Sequence, residues 1–226
     1  MSIAELVIIA ISVDATLQLL PRILDIISDK TVVMDVGSTK NSILESIKNH
    51  SRRRNFVATH PMSGTENSGP SAAFSGLFKG KVAIICDQES SYPWAVKEVE
   101  EFYKALESNL IYMDGKSHDE HVGYVSHLSH VISYALAVSV LEKKSTATIF
   151  DLAAGGFAST ARLAKSSAEM WSPIFEQNAD SILPILEIYI SKLNEFSSYL
   201  KEGKTDKVTE FIKEANRIRK VLDKRE

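Results

Sequence analysis

The chain has 226 residues, 44% of them hydrophobic and 24% charged, with a formal net charge of -3. That length suits two domains with a core each, the composition excludes a disordered chain, and the charge balance offers no broad basic field for nucleic acid. A single cysteine, Cys86, excludes an internal disulfide and a cysteine-built zinc site; the amino terminus shows neither a basic leader nor an apolar run long enough to span a bilayer, which predicts a cytoplasmic protein outside the membrane.

Leu6-Val7-Ile8-Ile9-Ala10-Ile11 is an unbroken apolar run with branched side chains, the mark of a strand buried on both faces. A helix follows, with Asp14 as N-cap, Leu17, Leu20, Leu24 and Ile27 at helical spacing, and Pro21 predicting a kink. Thr31 to Val36 reads as a second strand, Asn41 to Asn49 as a short helix and Asn55 to Thr59 as a third strand, with Arg52, Arg53 and Arg54 in a solvated connection. This alternation implies a parallel sheet with right-handed crossovers. A fourth strand ends at Cys86, whose thiol reads as inert core; a helix covers Trp94 to Leu106 and a short strand lies near Leu110 to Met113.

After Gly115 the pattern is almost unbroken helix: His118 to Glu142, Pro173 to Glu202 with Pro184 inside, and Thr205 to Asp223 beyond Gly203. The expected architecture is α/β plus all-α, an incomplete Rossmann-type parallel sheet in residues 1–115 followed by an all-helical substrate and dimerisation domain in residues 116–226. Its long apolar helices call for a second subunit. A dinucleotide-binding sheet carries G-x-G-x-x-G after its first strand and an acidic residue about twenty residues later. Neither occurs here, as if the chain starts at a later strand of such a fold, which predicts either a chain shortened at Met1 or one without direct dinucleotide binding.

Open parallel sheets bind ligands beyond the carboxyl ends of their strands, where Ser12-Val13, Gly37-Ser38-Thr39-Lys40 and His60-Pro61 would meet. A histidine ending a buried strand at that edge is placed for proton chemistry near neutral pH, with a hydrogen-bonded structural histidine as the alternative. Ser38 either bonds to His60 or a substrate or caps the next helix, and Lys40 either faces a carboxylate or, more simply, sits solvated in the first helical turn. His127 and His130 share a helix face, with His118 and His121 upstream. One helix cannot aim four imidazoles at one ion, so the expectation is a substrate contact and no metal, with His121 and His50 structural. Gly155-Gly156-Phe157-Ala158-Ser159-Thr160-Ala161-Arg162 reads as a glycine turn, a capping hydroxyl and an arginine in the first turns of a helix, a good carboxylate site unless the arginine is merely solvated. Trp171 reads as packing.

Asp35 to Lys40, His60-Pro61-Met62-Ser63-Gly64-Thr65-Glu66, His118 through His130 and Gly155 to Trp171 together resemble, in the same order, the prephenate and arogenate dehydrogenases of tyrosine biosynthesis. The resemblance implies NAD-dependent oxidative decarboxylation of prephenate to 4-hydroxyphenylpyruvate, with arogenate as the alternative substrate and NADP as the alternative cofactor. It implies that His60 is the catalytic histidine that bonds the ring hydroxyl and that Ser38 is its partner. Arg162 then matches the substrate-carboxylate arginine, His130 a substrate-side histidine, and Thr65, Glu66 and Gly155 pocket positions; Ser12, Val13, Gly37 and Ser38 fall at the cofactor. A homodimer through the helical domain is also implied. Ser12 and Ser129 stand where the family often has proline. Two other readings stay open: a β-hydroxyacid dehydrogenase, which usually carries a catalytic lysine on its helical domain, and a non-catalytic helical dimer that binds an aromatic carboxylate.

Overall fold

The computed structural model describes residues 4–64, 69–142 and 155–223, and by internal contacts the chain forms two compact units, Met1–Ile182 and Leu183–Glu226. In the first unit, β1 (Leu6–Ile9), β2 (Val32–Asp35), β3 (Phe56–Pro61), β4 (Val82–Cys86) and β5 (Asn109–Met113) form one sheet in that order. β1, β2 and β3 are mutually parallel, linked through α1 (Val13–Ile26) and α2 (Asn41–Ser46), as the alternating pattern predicts. β4 is antiparallel to β3, with His60 opposite Ile84, and β5 is parallel to β4. The parallel arrangement therefore covers three strands, and the other two run the opposite way. The segment 62–81 is long enough for a crossover, but it carries Gly64, Gly69, Pro70, Gly76 and Gly80, and the described part holds only a short 3₁₀ turn at Pro70–Ala72. Without a crossover helix the chain returns antiparallel.

The apolar strand runs are explained by two covered faces. Val33, Phe56, Ala58, Ile84 and Cys86 pack against Leu20, Leu24, Ile43 and Ile47 of the α1 and α2 side. Val32, Met34, Val57, Ala83 and Ile85 pack against Val96, Val99 and Tyr103 of α3 (Pro93–Ala105). Cys86 is buried as expected, and burial pushes its thiol further from ionising. β1 departs from the expectation of burial on both faces: among the described residues it pairs with β2 alone, and Ile8 is 41% exposed. α1 runs through Pro21 and begins one residue before Asp14, which sits in the first turn and bonds to Ser12 there. Arg53 is buried rather than solvated, its Nη1 donating to the Phe56 carbonyl at 3.0 Å, while Arg54 lies over the Tyr92 ring at 4.3 Å.

α4 (Gly115–Val122), capped by Asp114 at the Ser117 N–H, passes through a π-turn at Gly123–His127 into α5 (Leu128–Leu141). Among the described residues this stretch, Gly115–Leu141, is long and apolar enough to cross a membrane by length and composition. Its buried members are mostly polar, however: His118, Asp119, His127, His130 and Ser133 are buried beside Val122, while Tyr124, Val125, Val138 and Leu141 are exposed. α6 (Gly155–Ala161) follows, then a 3₁₀ turn at Arg162–Lys165 and α7 (Ala168–Gln177), capped by Ser167 at the Met170 N–H. The helix expected from Pro173 to Glu202 is broken at Asn178, whose side chain bonds the Asp119 carbonyl and His127 instead of leaving the backbone to continue. α8 (Ala179–Lys201) continues into the second unit, where Gly203, at φ 65°, turns the chain into α9 (Thr205–Ala215) and then α10 (Arg219–Leu222). Phe196 and Phe211 pack edge to face at 5.3 Å within that unit.

Candidate active site

Asp35 ends β2 fully buried, with Oδ2 accepting the Gly37 N–H at 2.9 Å and Oδ1 the Thr59 N–H at 3.1 Å. Its carboxylate also pairs with Nζ of Lys40, equally buried. Lys40 is thus an internal ion-pair partner and not the solvated residue that its place in a first helical turn suggests. The pair locks the Gly37-Ser38-Thr39 loop between two strand ends, and Thr39 Oγ1 donates to Gln177 at 2.7 Å from the same loop. Gly37 is tightly enclosed: a Cβ there would lie 3.0 Å from Asp35 Oδ2 and 3.1 Å from Val13 Cγ1.

His60 lies at the carboxyl end of β3, 9% exposed, and its Nδ1 is 2.9 Å from Nε2 of His118. Burial, and then the neighbouring His118, Lys40 and His127, hold it well below the ordinary imidazole range, so it is neutral at pH 7. Across from it, His130 Nδ1 donates to the Ser126 carbonyl at 3.0 Å, and its ring stacks on Trp171 with centroids 3.5 Å apart. Burial lowers His130 as well, and Arg162 adds to that. His127 is pushed down to about 4 by burial and accepts a hydrogen bond from Asn178. The four histidines of this segment have separate partners, since His121 is exposed and bonds the Ser117 carbonyl, and among the described residues no His, Cys, Asp or Glu group is arranged to hold a metal ion.

Ser38, His60, His130 and Arg162 line one cleft of about 600 Å³, with Pro61, Met62, Met170 and Trp171 among its walls. Four positions spread over 125 residues of sequence are thereby brought together from four separate segments, two at strand ends and two among the helices. The arginine arrives by a different route from the expected one. Gly155 and Gly156 are inside α6, Ser159 and Thr160 bond back to the Gly156 carbonyl in mid-helix fashion, and Arg162 opens the 3₁₀ turn after the helix end. The N–H of Ala164 in that turn is held by Ser133 Oγ of α5 at 3.0 Å. Gly155 is exposed and outside the cleft lining, and Thr65 and Glu66 lie outside the described residues. Trp171 both packs and lines the cleft. Sequence reasoning weighed a carboxylate partner for Lys40 but favoured solvation, and it gave Asp119 no part; the signal available for the ion pair was an aspartate closing an apolar strand five residues before a lysine.

Two family profiles match the chain: the nucleotide-binding domain of prephenate dehydrogenase over residues 1–112 and the dimerization domain of prephenate dehydrogenase over residues 114–214. The chain belongs to the prephenate dehydrogenase family. Members similar to it include a cyclohexadienyl dehydrogenase of Zymomonas mobilis, 29% identical over 97% of this chain and 75% of the relative, and a prephenate dehydrogenase of Lactococcus lactis, 28% identical over 97% of this chain. The chain spans 61% of the length of the latter. Among solved structures, Aquifex aeolicus prephenate dehydrogenase in complex with hydroxyphenyl propionate and NAD+ superposes with a TM-score of 0.87 at 26% identity, covering 96% of this chain and 76% of that one. Synechocystis arogenate dehydrogenase shares the fold, with a TM-score of 0.80 at 21% identity over 97% of this chain and 80% of that one.

NAD is the cofactor of this oxidoreductase family. Of the positions assigned to it here, Ser12 is exposed just beyond β1, Val13 is buried against Trp171 and Ile174, Gly37 is filled in by Asp35 and Val13, and Ser38 opens on the cleft. The space next to Gly37 is taken up by protein, so that glycine does not cradle a pyrophosphate, and the 226 residues contain no G-x-G-x-x-G turn.

Proposed function

We propose that this chain carries the reaction centre of a prephenate dehydrogenase, which converts prephenate to 4-hydroxyphenylpyruvate and carbon dioxide with NAD. The observation that carries the proposal is the convergence of His60, Ser38, His130 and Arg162 on one cleft. In this reading the 1–115 part serves the dinucleotide and the 116–226 part the substrate and a homodimer contact. Bound over the strand ends, NAD supplies the acceptor for the hydride that leaves the ring carbon bearing the hydroxyl. His60, neutral and buried at the cleft wall, accepts the hydroxyl proton, with Ser38 beside it to bond the same oxygen. The Arg162 guanidinium pairs with a substrate carboxylate, and neutral His130, braced on Trp171, bonds the substrate from the opposite wall. As the ring carboxylate departs as carbon dioxide its bonding pair enters the ring, and the aromatic product takes its hydroxyl proton back from His60. A lone buried cysteine is compatible with a cytoplasmic location.

The relatives divide between prephenate, cyclohexadienyl and arogenate dehydrogenases, so the amino or keto character of the side chain is the second choice to test. The purified chain is assayed for NAD reduction with prephenate and with arogenate, and titrated calorimetrically with each. Turnover of prephenate supports the proposal, and turnover of arogenate alone replaces it with arogenate dehydrogenase. Prephenate binding without NAD binding or turnover supports the aromatic-carboxylate-binding reading, and no binding of either substrate overturns the assignment of the cleft. Arg162→Gln is expected to raise KM by about 10- to 100-fold at nearly constant kcat, the loss of a charge-assisted pair.

A further inference from the structure

The His60 side chain is hydrogen-bonded to a second imidazole, that of His118, which does not line the cleft. Nδ1 of His60 lies 2.9 Å from Nε2 of His118, the rings meeting edge to face at 64°, and Nδ1 of His118 lies 2.8 Å from Oδ1 of Asp119. His118 has no exposed surface and Asp119 is 3% exposed. Asp119 is itself held: Oδ1 accepts the Lys40 N–H at 2.8 Å and Oδ2 the Asn41 N–H at 2.9 Å, while its carbonyl accepts from Asn178 at 2.8 Å. This side chain from α4 closes the start of α2 and cannot turn away without stranding two backbone donors.

The direction of the chain follows from which atoms can donate. An ionised carboxylate only accepts, so the proton of His118 sits on Nδ1, facing Asp119. The other nitrogen of a neutral imidazole is then an acceptor, so His60 must donate to it through Nδ1–H. That leaves Nε2 of His60 without a proton. We propose that His118 and Asp119 are positioning residues that hold His60 as its Nδ1–H tautomer, with the Nε2 lone pair turned to the cleft. The proposal rests on the reading of His60 as proton acceptor and supplies the reason that acceptor is ready at Nε2.

The charged and titratable groups around the pair agree with a neutral relay. Lys40 faces both imidazoles but is paired with Asp35, and His127, from the π-turn, is bonded to Asn178. Burial lowers both His60 and His118, so neither takes a second proton at rest. When His60 gains the substrate proton at Nε2, its Nδ1–H bond to His118 persists, and the new cation is faced through one imidazole by the Asp119 carboxylate. No proton needs to move along the relay for this to help; orientation and charge suffice.

The test is a long-range proton–nitrogen correlation spectrum of the full chain labelled with ¹⁵N-histidine at neutral pH, with the His60 signals assigned by their loss in His60→Asn. The expected pattern is a protonated Nδ1 and a bare Nε2 on His60, and the same on His118. A protonated Nε2 on His60 overturns the proposal, and this readout needs neither turnover nor cofactor, so an inactive chain would count against the proposed reaction alone. His118→Phe should remove the tautomer preference and lower kcat on the order of 10²-fold with KM little changed, the cost of a misplaced group. His118→Gln, whose amide oxygen can still accept from Nδ1–H, should recover part of that loss. In the double variant with His60→Asn no further loss is expected; multiplied losses would mean that His118 acts independently of His60.

Discussion

His60 and His127 show how burial sets the chemistry of single residues. In the proposed reaction His60 matters only as charge develops, so His60→Asn should lower kcat by about 10²- to 10⁴-fold with substrate affinity retained, measured by steady-state kinetics beside calorimetric titration. Undiminished turnover would remove His60 from the reaction. His127 carries a consequence for stability. Its folded value is about 4 against an ordinary 6.5, so the unfolded chain takes up the proton first. The stability it contributes is complete above pH 6.5 and is lost as the pH falls toward 4, roughly 3 kcal/mol for a group this buried. Denaturant titrations at about pH 7.5 and about pH 4.5 check this; equal midpoints would show that His127 is not held neutral. The histidine at a strand end was legible in the sequence, because an apolar run followed by His-Pro marks the edge of a sheet. Lys40 was not, because nothing in one turn of sequence says that Asp35 will be buried beside it.

At the scale of elements, local pattern located the strands and helices well and described their ends and directions less well. β1 to β3 and their crossovers follow from apolar runs alternating with helical spacing, whereas the reversal at β4 depends on how the chain between 62 and 81 is tethered, including Ser63 Oγ bonded to the Leu77 carbonyl at 2.7 Å. Asn178 ends a helix that its flanking periodicity would extend, since its side chain satisfies two groups from α4 and the π-turn. The turn that bears Arg162 is likewise held from outside, by Ser133 of α5. Ser133→Ala should therefore cost about 1–2 kcal/mol in unfolding free energy and raise KM more than it lowers kcat, because the arginine loses its anchorage. Chemical denaturation and steady-state kinetics read the two effects; a fall in kcat at constant KM would detach this turn from substrate binding.

For the molecule as a whole, the second unit carries a dense set of exposed apolar side chains. Leu183, Ile188, Ile190, Leu193 and Leu200 of α8 are 56%, 55%, 47%, 53% and 62% exposed, and Ile212, Ile218, Val221 and Leu222 add to them further along. The matching dimerization-domain profile extends through residue 214. Side chains of this kind are stable in water when a second surface covers them. A homodimer is proposed, with Leu193→Glu expected to shift the chain toward monomer in light scattering after size exclusion; a wild-type monomer would overturn it.

The sequence by itself determined the kinds of layer and most of the strand and helix content, because hydrophobic period and turn chemistry are local, and its resemblance to a family picked out four residues of the cleft, Ser38, His60, His130 and Arg162. Only the tertiary structure decided that Arg162 reaches the cleft from a helix end, that Lys40 is spent on Asp35 and that His118 and Asp119 stand behind His60. Those outcomes depend on which buried polar groups find each other across the fold, and a buried donor accepts whichever partner packing brings within reach.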